Sequence, residues 1–152
     1  MIEYTKATLN DIEQMIKLVN PEVQKGIILY RSSEEIANTI RSYTLAKEEG
    51  KIIGFCALYI YSKDLAEVRS LIVTPTYQKR GVGRGLVEAI LKEGREIGVE
   101  KVLSLTYQVE FFKKMGFEII AKELIPDHKI WTDCIKCKRF PVCDEIALLK
   151  KL

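Results

Sequence analysis

The chain has no apolar run approaching the ~20 residues that a bilayer-spanning helix needs, so no segment is expected to cross a membrane. Its first residues, Met1-Ile2-Glu3-Tyr4, have neither a basic flank nor an apolar stretch. A secretory leader has both, so the expected location is cytoplasmic. No linker, internal repeat or low-complexity stretch interrupts the 152 residues, which argues for one domain, 1–152, large enough to bury a real core. Charge of one sign is also scarce: 24 basic against 21 acidic side chains leave +3. So mild an excess does not imply nucleic acid as a partner. With 47% apolar and 30% charged residues the balance is that of a globular protein, which excludes a disordered chain.

Metal-binding residue types are few. There is one histidine, His128, and four cysteines, Cys56, Cys134, Cys137 and Cys143. Without a leader, these cysteines read as thiols or metal ligands rather than disulfides. Cys134-x2-Cys137-x5-Cys143 with His128 upstream offers zinc-ligand types. A complete zinc site usually shows a second close-spaced pair, which is missing, so thiols and no metal are expected. Two nucleotide motifs are absent as well. No Gly-Lys-Ser/Thr closes a Walker loop, and the glycines lack the G-x-G-x-x-G spacing after an early strand.

What is present is a regular alternation of strand and helix patterns. Residues 2–6 alternate as a strand. Thr8 and Asp11 resemble a helix cap, and Ile12, Met15, Ile16 and Val19 form one helical face that is expected to end before Pro21. Ser32 and Glu35 make a capping box for a second helix with Ile36, Ile40 and Tyr43 on one face. Residues 44–47 and 52–61 flank a Glu48-Glu49-Gly50-Lys51 turn and read as a hairpin. Residues 65–73 are a strand that Pro75 stops. A long helix over 83–97 carries Val87, Ile90, Leu91, Gly94 and Ile97 inward, and Gly98 ends it. A strand over 102–105, a short helix over 109–115 and strands over 117–121 and 146–149 follow, around an irregular tail over 126–141. This order predicts an α/β fold: a mixed sheet flanked by helices.

One stretch carries chemistry: Val68-Arg69-Ser70-Leu71-Ile72-Val73-Thr74-Pro75-Thr76-Tyr77-Gln78-Lys79-Arg80-Gly81-Val82-Gly83-Arg84-Gly85-Leu86. A strand runs into a tight loop, and the loop opens a helix. Glycines let backbone approach a ligand closely. The first helical amides have no helical partner and lie at the positive end of the helix dipole. Such a cradle suits a pyrophosphate, and Arg80 and Arg84 can add charge-assisted contacts. The plainer alternative is a turn ringed by solvated arginines.

The spacing Gln78-x-x-Gly81-x-Gly83 after a Val-x-Pro strand end resembles the acetyl-CoA loop of the GCN5-related N-acetyltransferase superfamily, and the element order resembles that fold along the whole chain. The resemblance implies splayed central strands, with 65–73 diverging from 102–105. It implies that acetyl-CoA is the acyl donor, with its pantetheine on open backbone near Leu71, Ile72 and Val73. Its pyrophosphate is then expected on Gln78, Arg80, Gly81, Val82, Gly83, Arg84 and Gly85. A backbone amide of the splayed strand polarises the thioester carbonyl. The amine attacks directly, with no covalent enzyme intermediate. Glu67 matches a position where such enzymes often hold a base; the alternative for it is a solvated strand-edge carboxylate. The position that often holds a tyrosine acid is Phe112 here, a departure. Tyr107 is the nearest hydroxyl substitute, with a packing role as its alternative, and water can also serve.

Three further stretches narrow the resemblance. They are Gly26-Ile27-Ile28-Leu29-Tyr30-Arg31-Ser32-Ser33-Glu34-Glu35-Ile36, Leu105-Thr106-Tyr107-Gln108-Val109-Glu110-Phe111-Phe112 and Trp131-Thr132-Asp133-Cys134-Ile135-Lys136-Cys137. They look like short amino-acid N-acetyltransferases related to N-acetylglutamate synthase, which implies an amino-acid partner, L-glutamate, and a place in arginine biosynthesis. The 152 residues hold no counterpart of the amino-acid-kinase-like domain of the long synthases, so feedback by arginine through such a domain is not expected. Glutamate's carboxylates call for arginines. Arg31, Arg69 and, in the tail, Arg139 with Lys136 are the candidates; a surface charge is the alternative for each. Another small amine or a protein terminus as acceptor, or a non-catalytic acyl-CoA sensor, are the competing functions. The sequence does not give the oligomeric state; a homodimer has analogy alone behind it, since dimers are common in the superfamily.

Overall fold

The computed structural model describes residues 1–125 and 145–152. His128, Cys134, Lys136, Cys137, Arg139 and Cys143 lie outside the described residues, so the zinc question and the Arg139 anchor fall there too. Among the described residues seven strands form one sheet, ordered β1-β2-β3-β4-β5-β7-β6. They are β1 (Ile2–Lys6), β2 (Tyr43–Glu48), β3 (Lys51–Ile60), β4 (Leu65–Val73), β5 (Lys101–Thr106), β6 (Glu118–Ile120) and β7 (Ile146–Lys151). The helices are α1 (Ile12–Gln24), α2 (Ser33–Asn38), α3 (Val82–Ile97) and α4 (Val109–Lys114). All neighbours pair antiparallel except β4 and β5, which are parallel and joined by the α3 crossover that such a pair requires. The expected mixed α/β sheet is therefore present.

Strand alternation splits the core in two. Leu45, Phe55 and Ala57 pack with Met15 of α1 and Ile36 of α2. Ala46, Ile53 and Leu58 pack with Leu86, Val87 and Ile90 of α3. Capping follows the sequence closely. Asp11 accepts from the Thr8 amide at 2.8 Å, and Ser32 and Glu35 exchange bonds of 3.1 and 3.2 Å.

Three helix expectations need correction. Helix α1 runs through Pro21 to Gln24. The amide that Pro21 lacks would have met the Lys17 carbonyl, and both residues are exposed, so solvent can satisfy that carbonyl. Helix α2 stops at Asn38, where the Thr39 hydroxyl bonds the Glu35 carbonyl at 2.8 Å. Ile40 falls in a short 3₁₀ turn and Tyr43 opens β2, packing edge-on against Phe55. Ile97 is 57% exposed, and Leu86 takes its place in the inner face of α3.

Two features position the site. Strands β4 and β5 pair only at Leu65–Lys101, Ala66–Val102 and Glu67–Leu103. Beyond them β4 stays with β3 as far as Val73, while β5 stays with β7, so the sheet opens between them. The second feature is a bulge. Arg69 pairs with Ala57 and Ile72 with Phe55, so Ser70 and Leu71 together oppose Cys56. Ser70 takes φ +54° there. The extra residue reverses the alternation: Leu71 and Val73 pack with the α3 cluster and Ile72 with the α1 cluster. No helix among the described residues is long and apolar enough to cross a membrane.

Candidate active site

A cavity of about 600 Å³ fills the opening between β4 and β5. Glu67, Arg69, Leu71, Ile72 and Val73 form one wall, and Ser104, Thr106 and Tyr107 the other. Residues 25–31, including Arg31, roof it, and Gln78 and Phe112 reach its edge. Past Glu67 no strand among the described residues pairs with β4 on the β5 side. Backbone N–H and C=O groups there are available to an extended ligand, as at any sheet edge. The Thr74 hydroxyl oxygen, on the same cavity, is buried with no hydrogen-bond partner among the described residues.

Beyond the cavity lies the glycine loop. The Gln78 side-chain Nε2 donates to the Val73 carbonyl at 3.1 Å and ties the loop to the end of β4. Lys79 and Gly81 take φ +65° and +81°, which turns the chain into α3. The first helical bond runs from the Gly85 amide to the Gly81 carbonyl at 3.0 Å. The amides of Val82, Gly83 and Arg84 precede it and sit at the positive end of a helix of 16 residues. Arg80 lies over the Tyr77 ring, 5.1 Å from its centroid, and Tyr77 donates to Glu48 at 3.1 Å. Arg84 is exposed and 3.6 Å from Glu88. This arrangement fits an anionic phosphate group followed by an extended arm.

Gly85 does not belong with that group, which corrects the expectation. Its amide is already used inside the helix, and a side chain at this position would run into the Tyr4 hydroxyl of β1. Gly85 lets α3 pack against the sheet. At Gly83 a Cβ would meet only Phe111 at 3.6 Å and Val73 at 3.8 Å, ordinary contact distances.

Glu67 is not the solvated carboxylate that one reading allowed; it is 3% exposed. Tyr61 donates to its Oε1 at 2.6 Å and Arg69 Nε at 3.2 Å. Arg69, 8% exposed, also donates from Nη2 to the Tyr61 oxygen at 3.0 Å and stacks over the Tyr59 ring at 3.5 Å. Burial, and then the Glu67 charge, push the Tyr61 hydroxyl far above its ordinary range. Arg69, expected to meet a ligand carboxylate, has Glu67 as a charge partner within the protein. Arg31 is half-buried and reaches the same face. Burial raises the Tyr43 hydroxyl's pKa, and the charges of Arg31 and Arg69 oppose that rise.

Tyr107 follows β5 directly, lines the cavity and is 38% exposed. Phe112 is buried edge-on between Phe111 and Phe117, so this position supplies packing and no hydroxyl. Sequence reasoning missed Tyr59, Tyr61 and Thr74. The first two were within reach: a four-residue turn between β3 and β4 fixes the register, and the register puts Tyr59 opposite Glu67.

The sequence model of the acetyltransferase (GNAT) family matches residues 11–117. The chain belongs to that family. It is 41% identical over 146 residues to an uncharacterized N-acetyltransferase of Chlorobaculum tepidum, covering 96% of this chain and 94% of that one. It is 37% identical over 125 residues to the amino-acid acetyltransferase of Mannheimia succiniciproducens, covering 81% of this chain but 28% of the relative. Among solved structures, N-acetylglutamate synthase from Neisseria gonorrhoeae, complexed with coenzyme A and N-acetyl-glutamate, superposes with a TM-score of 0.88 at 25% identity. That match covers 100% of this acetyltransferase and 35% of the synthase.

Proposed function

We propose that this acetyltransferase moves the acetyl group of acetyl-CoA to the α-amine of L-glutamate. The carrying observation is a single cavity that runs along the open edge of β4 from Gln78, in the loop that leads into the free-amide end of α3, to Glu67 and Arg31. Donor phosphate and acceptor carboxylate are both anions, and each end of this path offers positive charge. The likeness to amino-acid acetyltransferases and to a synthase holding N-acetyl-glutamate supports glutamate as the acceptor.

In this reading the amides of Val82, Gly83 and Arg84, with Arg80, hold the pyrophosphate. The open backbone at Leu71, Ile72 and Val73 holds the pantetheine arm as an added strand would be held. Arg31 pairs a substrate carboxylate with its planar fork. Glu67 takes one proton from the substrate ammonium, directly or through water, and passes it to solvent. The neutral amine attacks the thioester carbonyl, forming the C–N bond. A β4 amide beside the bulge stabilises the resulting oxyanion. Collapse breaks the C–S bond, and the nitrogen's second proton ends on the departing thiolate. Tyr107, on the cavity wall, is the hydroxyl placed to carry that proton. Each turnover thus yields N-acetylglutamate, free CoA and one released proton.

Transfer of labelled acetyl from acetyl-CoA to each of the twenty amino acids tests the proposal. Glutamate should lead by at least tenfold in kcat/KM. Faster transfer to an uncharged amine or a peptide terminus would reassign the acceptor. CoA binding with no turnover on any amine would make the chain a sensor.

A further inference from the structure

The buried group around Glu67 has a closed geometry that the reaction scheme leaves unused. Tyr59 is the cross-strand partner of Glu67. Tyr61, whose amide bonds the Leu65 carbonyl at 2.9 Å, lies diagonal to it on the same face. Two donors converge on one carboxylate oxygen, Oε1, and they also bond each other. The direction of each bond is forced. A guanidinium only donates, so the Tyr61 oxygen accepts from Arg69 and its single proton goes to Glu67. The Tyr59 ring, 3.5 Å beneath the guanidinium carbon, and the Tyr61 ring, 5.5 Å away, hold the fork in plane.

We propose that Tyr61 and Arg69 form a two-point clamp that orients the Glu67 carboxylate for proton transfer. Both are positioning residues, and Arg69 is not a substrate anchor. The inference rests on Glu67 being the base. A carboxylate held this way has its rotamer fixed and its anion stabilised by charge-assisted bonds. A Tyr61 hydroxyl that resists ionisation supplies its proton as a donor throughout the working pH range. Other ionisable groups share the cavity with Glu67: Arg31 and Lys25 from the roof, Glu22 from α1, Tyr107 after β5 and Glu145 before β7. Tyr43 faces Arg69 from β2. Tyr61 and Arg69 are the groups that donate to the Glu67 Oε1.

The test is the pH profile of kcat/KM for Glu67→Gln, Tyr61→Phe, Arg69→Lys and Arg69→Ala, with melting temperatures alongside. Glu67→Gln should abolish the acid limb. Tyr61→Phe, which removes one bond to the anion, should move that limb up by about one pH unit and lower kcat roughly tenfold. KM for both substrates should stay within about twofold. Arg69→Ala should move the limb further, and Arg69→Lys should recover part of kcat because its ammonium can still reach a carboxylate. The double variant Tyr61→Phe/Glu67→Gln should match Glu67→Gln alone. A raised KM for the amino acid in both Arg69 variants, with the limb unmoved, would overturn the clamp in favour of an anchor. An unmoved limb in Tyr61→Phe while Glu67→Gln abolishes it would overturn the clamp but keep the base. A limb surviving in Glu67→Gln would remove the base itself, and the clamp with it.

Discussion

Replacing Gly54 with alanine probes the bulge on which the site is built. Gly54 pairs with Val73 across β3 and β4. A Cβ there would lie 2.7 Å from the Ile72 carbonyl oxygen, 3.3 Å from Leu86 Cδ1 and 3.4 Å from Val73 Cα. Two of these three neighbours are backbone atoms, which cannot rotate aside. A methyl carbon and a carbonyl oxygen rest no closer than roughly 3.3 Å, so the strands must part by about 0.6 Å. Overpacking of this kind costs about 1–3 kcal/mol, and the stiffer unfolded chain returns roughly 0.4–1 kcal/mol. The net loss is roughly 0–2.6 kcal/mol. At about 2–4 °C per kcal/mol for a chain of this size, the melting temperature should fall by up to about 10 °C. The displaced group is the Ile72 carbonyl, on the stretch of β4 that is proposed to hold the acyl arm. Sub-ångström misplacement of reacting groups is costly, so kcat should fall by about tenfold or more. Scanning calorimetry and steady-state thiol release read the two effects separately. A variant with unchanged melting temperature and unchanged kcat would show that β3 and β4 part freely at the bulge, and the geometric argument would be refuted.

Other perturbations address separate parts of the molecule. Gly83→Ala should bind CoA as the wild type does, since its methyl meets Phe111 and Val73 at ordinary distances, whereas Gly83→Val should weaken binding at least tenfold by calorimetry. Equal affinity in both variants would move the phosphate site elsewhere. Arg31→Ala should raise KM for glutamate by about tenfold or more, leave KM for acetyl-CoA within about twofold, and erode preference over uncharged amino acids; an unchanged glutamate KM would take the anchor away from Arg31. Asp11→Asn tests linkage. Burial alone would raise the Asp11 pKa, but the Thr8 bonds and Lys47, 3.4 Å away, outweigh it and hold the carboxyl below its usual range. A depressed folded pKa stabilises above the unfolded value, and that stability is lost as pH falls through the folded one. The variant should therefore be about 1 kcal/mol less stable at pH 7, and the gap should close below about pH 4. A gap that persists at pH 3 in urea melts would assign it to packing.

Much of the fold was legible because the local signals agreed with the tertiary ones. The Ser32–Glu35 box, the Glu49–Gly50 turn with both residues at positive φ, and the Gly98 cap fall where the residues put them. The errors came where a local signal met a tertiary exception. Pro21 stays helical because the carbonyl it leaves unpaired is on an exposed face. Ile40 and Tyr43 have helical spacing from Ile36, but Ile40 falls in a 3₁₀ turn and Tyr43 is claimed by a strand. The site was legible in its strand–loop–helix part for the same reason: glycine spacing reports a backbone need directly. The side-chain part was not. Residues 67 and 69 could be placed on one face, but Tyr59 and Tyr61 join them only through the β3–β4 register, which depends on the exact length of the turn.

The bulge is the least legible feature and the one with the most consequence. Strict alternation would put Leu71 on the face of Glu67 and Arg69 and turn Ile72 toward α3. The extra residue at Ser70 does the opposite, so the wall of the cavity changes character midway. Before the bulge, β4 presents charge to the α1 side. After it, Leu71 and Val73 present apolar side chains to the side where α3 begins. The gap beyond Glu67 is where the two halves of the cavity meet. On the proposed function the polar acceptor occupies the first half and the acyl arm the second, and the thioester can meet the amine only at the bulge. A regular β4 would turn Ser70 and Ile72 toward α3 and Leu71 and Val73 toward the face of Glu67 and Arg69. The acyl arm would then lose the Leu71 and Val73 wall on the α3 side, and apolar side chains would crowd the face that the polar acceptor is proposed to use.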